Sequence, residues 1–238
     1  MTQLHHSINH AIALFKTLHG NNIEYVIDVG ANTGTPFLKD SFPNAHHYLI
    51  EPLTNTHPQL IENYQDVAYT LLSTPLLDTI TPIHFYTYSV TTNEGLCNSS
   101  VLVGENEYIG NNYTLSHTIT TSTLDNTFSS NTNINRLNTI IKIDVDGNEL
   151  KILKGGETLL SNIGLVIIEC NAQSINSIMS LLYSMGFELF DIVSPGYYRD
   201  IWIQSDLIFI NQKVKNDNVK FRPFDEGAWT GSEWYPLP

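Results

Sequence analysis

The stretch Tyr25-Val-Ile-Asp-Val-Gly-Ala-Asn-Thr-Gly34, with Pro36 just beyond it, decides the fold. Five residues of mostly apolar character read as a strand; glycines then supply a tight turn, and proline suits the first turn of a helix. Strand, glycine turn and helix open an α/β unit, and the pattern repeats outward. His47-Tyr-Leu-Ile-Glu51 reads as a second strand, residues 55–64 as a helix and Val67 to Leu72 as a third strand. Downstream, Ile140-Ile-Lys-Ile-Asp144 is a strand, Gly147 to Leu160 a helix, Leu165-Val-Ile-Ile-Glu169 a strand, and Ser177 to Met185 a helix with Gly186 behind it. This alternation predicts a mostly parallel sheet with helices on both faces. The last two strands, Phe187 to Val193 and Asp206 to Ile210, are separated by a dozen residues without helical pattern, which favours an antiparallel pair.

The outlying segments follow other rules. Residues 7–19 place Ile8, Ile12, Phe15 and Leu18 on one stripe ended by Gly20, a docking helix within residues 1–22. Residues 23–211 form the main domain. Between about residues 73 and 123 Asn, Thr and Ser take over around two alternating runs, Ile83 to Val90 and residues 115–121, which predicts a β-rich insertion after the third strand. Residues 212–238 mix Phe, Trp, Tyr and Pro without period and read as an irregular aromatic tail. The 238 residues suit one substantial core, 42% apolar content excludes a disordered chain, and no run reaches the roughly 18 to 20 apolar residues that span a bilayer. Eleven Lys and Arg against 24 Asp and Glu, a formal net charge of −13, would repel a phosphate backbone, so no nucleic-acid partner is expected. Met1 to His6 lack the basic start and apolar run of a secretory leader, and two cysteines at unrelated spacing, Cys97 and Cys170, form no metal site; both points lead to a reducing cytoplasm. Cys170 reads as a small buried hydrophobe.

A strand ending in Asp28 and a turn holding Gly30 and Gly34 make a ligand cradle, because glycine lets backbone approach a ligand. The spacing is G-x-N-x-G, with Asn32 where a dinucleotide site has the glycine that admits pyrophosphate, and this disfavours NAD or FAD. Glu51 closes the second strand, where a carboxylate accepts hydrogen bonds from both hydroxyls of a ribose. A ribose without a demanding phosphate fits S-adenosylmethionine. In the second block, Ile141 to Gly155, Asp146 and Glu149 have the spacing of a helix capping box. Capping leaves Asp144 unexplained; at the carboxyl end of a central strand it is the first choice for an acceptor-facing carboxylate.

V-I-D-V-G-A-N-T-G at 26–34, Y-L-I-E-P at 48–52, T-L-D at 123–125 and I-K-I-D-V-D-G-N-E-L-K-I-L-K-G at 141–155 resemble the FkbM family of S-adenosylmethionine-dependent methyltransferases over roughly residues 22–211. The resemblance implies a class I methyltransferase, Rossmann-like α/β fold of seven strands with the last antiparallel. It also implies O-methylation of a hydroxyl on a sugar, polyketide or similar small molecule. Asp28, Gly30, Asn32, Gly34 and Glu51 would hold the cofactor, and Asp144 to Glu149 would border the active site.

Methyl transfer to an alcohol needs positioning and one base near the carboxyl pole of the sheet. Asp144, Asp146 and Glu169 are the catalytic candidates, with His84 and His117 of the insertion as alternatives; His46 and His47 precede the second strand at the opposite pole. Asp144 and Glu169 would also suit Mg²⁺, although their spacing assigns no metal site. The link from Ser194 to Ser205 carries Tyr197, Tyr198, Arg199 and Trp202, flat and hydrogen-bonding side chains suited to stacking on a carbohydrate or other small acceptor. Competing readings are a nicotinamide-dependent sugar oxidoreductase and a non-catalytic cofactor-binding module.

Overall fold

A computed structural model describes residues 7–19, 22–92, 95–103, 114–131, 134 and 136–217. After α1 (Ile8–His19) the chain alternates: β1 (Tyr25–Val29), α2 (Pro36–Ser41), β2 (His46–Ile50), a 3₁₀ turn (Thr54–Thr56) running into α3 (His57–Tyr64), and β3 (Tyr69–Leu72). Then come β4 (Pro82–Thr92), β5 (Gly95–Val103), β6 (Thr114–Thr120) and α4 (Leu124–Phe128). The second half runs β7 (Thr139–Ile143), α5 (Glu149–Lys154), α6 (Glu157–Leu160), β8 (Leu165–Asn171), α7 (Ile175–Ser184), β9 (Phe187–Tyr198), β10 (Ile201–Asn211) and α8 (Gln212–Asp217).

Seven strands form one sheet in the order β3-β2-β1-β7-β8-β10-β9. All neighbours from β3 to β8 are parallel, and β10 runs antiparallel to both β8 and β9. This is the class I methyltransferase arrangement that the resemblance implies, with the last strand slotted inside β9. Strand alternation builds the two faces. Ile27, Val29, Ile141, Ile143, Val166 and Ile168 point toward α4 to α7, while Val26, Ile140, Leu165, Ile167 and Ile208 point toward α1, α2 and α8. Of the predicted α1 stripe, Ile12 and Phe15 are buried there and Ile8 is partly buried, with Ala11 buried beside them; the Leu18 side chain and Gly20 lie outside the described residues. Among the described residues no helix is long and apolar enough to cross a membrane.

Three segments differ from the sequence reading. The insertion, expected to hold two or more strands, is a three-stranded antiparallel sheet, β5-β4-β6; β4 and β6 fall on the two alternating runs, and β5 is a strand whose alternation Asn and Ser interrupt. The helix predicted over 147–160 is two helices: a Cβ on Gly155 would overlap the Leu77 carbonyl, and one on Gly156 would come within 2.7 Å of Leu124. Glycine is required there so that β3's exit segment and α4 can close on the chain, at the expense of helix continuity. Finally, the segment after β10 begins with the helix α8, while the aromatic stretch 221–238 lies outside the described residues.

Candidate functional site

The carboxyl ends of β1, β2 and β7 meet at the glycine turn. Gly30 adopts φ +85, and a Cβ there would overlap the carbonyl oxygen of Asp144 at the end of β7, so only glycine permits this crossing. Gly34 has φ +119 with the Tyr64 ring 2.8 Å from where a Cβ would be. Between them Asn32, itself left-handed at φ 47, donates its backbone N–H to Glu51 Oε2 at 2.7 Å, and Leu53 donates to Oε1 at 2.6 Å. Glu51 thus ties the first turn to the second. Burial pushes its carboxyl up, and the two amides counter this. A carboxylate offers about four acceptor positions, so two remain for a ligand's hydroxyls.

Asp28 is completely buried, and neither carboxylate oxygen has a hydrogen-bond partner among the described residues. Burial pushes its carboxyl up; the Lys142 ammonium pulls it back, as does the Thr35 side chain, which stops short of a formed bond. A buried carboxylate left without donors fits a ligand that brings its own, as the hydroxyl and ammonium groups of S-adenosylmethionine do. The unpartnered Asp28, the spare acceptor positions of Glu51 and the Gly30 to Gly34 turn therefore suit that cofactor.

Beyond the glycine turn lies a second group of acids. Asp144 extends the β1–β7 ladder, its N–H donating to Val29 O at 3.0 Å, and its Oδ2 accepts from Lys142 Nζ at 2.8 Å. Its side chain is 38% exposed and that of Lys142 only 8%. Glu169, half-buried on β8, accepts a hydrogen bond from the Gln204 side chain. Burial, then the charges of Asp144, Glu149, Asp146 and Asp206, push the Glu169 carboxyl up to about 8. Asp206 sits opposite Glu169 in the β8–β10 register. Strand parity puts Asp28, Lys142, Asp206 and Glu169 on the α1 face of the sheet.

The capping box is not formed as its spacing suggested. Asp146 takes φ 56 and is exposed, α5 starts only at Glu149, and the N-cap is Asn148. Glu149 is buried, and its Oε1 accepts from Gly147 N–H at 2.9 Å and Val145 N–H at 3.3 Å, bracing the turn that carries Asp144. The Ser194 to Ser205 link is also not a loop: β9 and β10 continue as a two-stranded ribbon past the end of β8, turning at Arg199 and Asp200, both left-handed. Tyr197 and Tyr198 are more than half exposed, the Arg199 guanidinium lies 5.1 Å from the Tyr198 ring centre, and Trp202 Nε1 donates to Ser205 Oγ. The ribbon leaves the sheet at its carboxyl pole.

His46 and His47 open β2 at the other pole, bonded to Thr70 Oγ1 and Phe42 O. His84 faces Thr118 in the separate sheet; the His117 side chain lies outside the described residues. Cys170 is buried and its thiol is pushed up to about 12 by burial. Among the described residues no group of three or more His, Cys, Asp or Glu is arranged to hold a metal ion; the cation facing Asp144 is Lys142. Lys142 and Asp206 were missed from sequence. The detectable sign was a lysine within the otherwise apolar run Ile140 to Ile143, whose five-residue strand is buried throughout.

The family model of the methyltransferase FkbM domain matches residues 28–189. None of the curated proteins matches the chain. Among solved structures, the chain is similar to precorrin-6y C5,15-methyltransferase from Geobacter metallireducens GS-15, at 9% identity, covering 89% of this chain and 91% of that one, with a TM-score of 0.46. It is also similar to magnesium protoporphyrin IX methyltransferase from Synechocystis PCC 6803, determined with bound SAM, at 11% identity over 86% and 80% of the two chains and a TM-score of 0.44. A third is the tRNA (m1A22) methyltransferase-like protein Sp1610 of Streptococcus pneumoniae, in complex with S-adenosyl-L-methionine, at 11% identity over 84% and 72% and a TM-score of 0.43. With the family model spanning the glycine turn, Glu51, the β7 acids and Glu169, this chain belongs to the FkbM-domain family of S-adenosylmethionine-dependent methyltransferases.

Proposed function

We propose that the protein methylates a hydroxyl of a small molecule or sugar, with Asp28, Gly30, Asn32, Gly34 and Glu51 holding the cofactor. When bound, S-adenosylmethionine supplies an electrophilic methyl group. The observation that carries the choice of a hydroxyl is Glu169. A carboxyl raised to about 8, half-buried within β8 and under the charge of Asp144, is a far stronger base than an ordinary glutamate and matches removal of a hydroxyl proton. In this reading Glu169 takes the proton, Asp144 orients the acceptor, and Asp146 lines the rim. Tyr197, Tyr198, Arg199 and Trp202 on the ribbon supply stacking and hydrogen-bonding surface to the outer part of the acceptor. The formal charge of −13 supports an acceptor other than a polyphosphate chain.

Methyl-labelled cofactor offered with hydroxyl, amine, carboxylate and RNA acceptors tests the reading: label is expected on hydroxyl acceptors, and transfer confined to amines or RNA would overturn it. The pH profile adds a sign. Glu169 must be ionised to act, so the rate should rise about tenfold per pH unit below pH 8 and level off above it. Glu169→Gln should abolish that limb along with most of the rate.

Glu51 carries a separate expectation. Glu51→Ala removes an acceptor from the ribose side and frees the N–H groups of Asn32 and Leu53, so binding of S-adenosylhomocysteine should weaken at least about tenfold, the scale of one or more charged hydrogen bonds. Calorimetry showing unchanged affinity would remove Glu51 from the cofactor site.

A further inference from the structure

We infer that Lys142 is a positioning residue whose buried ammonium is the shared counter-ion of Asp28 on the cofactor side and Asp144 on the acceptor side, keeping Asp28 available as an ionised acceptor. The inference rests on the assignment of Asp28 to the cofactor. In the β1–β7 register Asp28 and Lys142 are direct partners on the same face, and Lys142 reaches forward to Asp144 Oδ2 at 2.8 Å. Its charged and titratable surroundings are Asp28 from β1, Asp144 from β7 and Asp206 from β10; Glu169 of β8 faces Asp144 and Asp206, and Tyr64 of α3 faces Asp28. Lys142 is therefore a single cation serving several acids in a nearly dry place.

A role confined to stability explains this poorly. A buried ion pair costs desolvation that its mutual attraction often fails to repay, and well-packed apolar residues commonly do as well or better. The neighbouring positions of β7 are apolar, so an isoleucine at 142 would complete the strand were the acids not needed as charges. Asp28 shows the need most plainly: it is fully buried, lacks hydrogen-bond donors, and has Lys142 as the principal group offsetting its burial. Without that cation Asp28 takes up a proton, and one of its oxygens becomes a donor that faces an incoming donor.

The test uses S-adenosylhomocysteine binding by calorimetry between about pH 6 and about pH 9, which needs no acceptor. Lys142→Met should weaken binding at least about tenfold near neutral pH, with affinity returning as pH rises and Asp28 ionises again. In an Asp28→Asn background the same substitution should cost less than about twofold, because the charge that Lys142 balances is gone. Losses that add in the two backgrounds, or a pH-independent loss, would show Lys142 to be structural and overturn the inference. Should Lys142→Met fail to fold, the double variant decides: folding and binding like Asp28→Asn alone is expected, and an unfolded double variant counts against the inference. If Asp28→Asn alone leaves affinity unchanged, the cofactor assignment of Asp28 is what fails; if it weakens binding while Lys142→Met does not, only the role of Lys142 fails.

Discussion

Gly30→Ala is expected to lower the melting temperature by roughly 5 to 15 °C, the consequence of a few kcal/mol in a chain of this size, and to abolish measurable binding of S-adenosylhomocysteine. Two costs combine. The left-handed conformation at φ +85 penalises any side chain by about 1–2 kcal/mol. The new methyl would also overlap the Asp144 carbonyl, and overpacking of this kind costs about 1–3 kcal/mol or more. Relief requires β1 and β7 to part where Asp144 N–H donates to Val29 O, which displaces both the turn and the acid. Thermal melts followed by circular dichroism, with calorimetry on the folded fraction, check this. A variant melting like the parent and binding normally would mean that the turn has room the geometry denies.

Asp144→Asn should reduce methyl transfer by about 10² or more, the usual scale for losing a carboxylate engaged in acid–base or orienting work, while S-adenosylhomocysteine affinity stays nearly unchanged. Asparagine preserves the shape and the backbone bond to Val29 but removes the charge that pairs with Lys142. The split between rate and cofactor binding is the informative outcome. Equal losses in both would place Asp144 in the cofactor pocket, and normal turnover would remove it from the chemistry. A large loss restored by added Mg²⁺ would transfer the role from an orienting carboxylate to a metal ligand.

The order of strands and helices was legible because the buried strands of the parallel sheet are short apolar runs followed by polar residues; Asp28, Glu51 and Asp144 lie at or next to such ends, whereas β8 runs on past Glu169 to Asn171. The cradle at Gly30 and Gly34 was legible for the same reason: a local backbone requirement leaves a local trace. What escaped depends on partners remote in sequence. Nothing between residues 147 and 160 announces that Gly155 and Gly156 must clear Leu77 and Leu124, so periodicity ran through a break imposed by tertiary contact. Glu51 was read as a ribose acceptor, but not as the brace between Asn32 and Leu53, because its turn amides converge only after β1 and β2 pair. Lys142 stands out in the sequence only as a charge in an apolar run; its meaning lies in Asp28 and Asp206, on other strands. The capping-box spacing at Asp146 and Glu149 misled for the opposite reason, since two functions fit one local pattern and the left-handed turn at Asp146 selected the other.

The position of β1 in the sheet has a consequence for how the chain reaches this state. Its neighbour on one side is β2, whose residues emerge shortly after it during synthesis, but on the other side Tyr25 pairs with Thr139. The half-sheet β3-β2-β1 can therefore assemble early while the inner edge of β1, including the glycine turn, waits for a strand not yet made. All of the three-stranded insertion is produced during that wait. Closing so long a loop is an entropic toll levied before the central pairing returns anything, and folding dominated by such non-local contacts is slow. An unpaired apolar strand edge in the meantime is a site for wrong partners. The step that completes the β1–β7 ladder also brings Asp28 beside Lys142 and Gly30 beside Asp144, so this long-range pairing and the assembly of the site coincide.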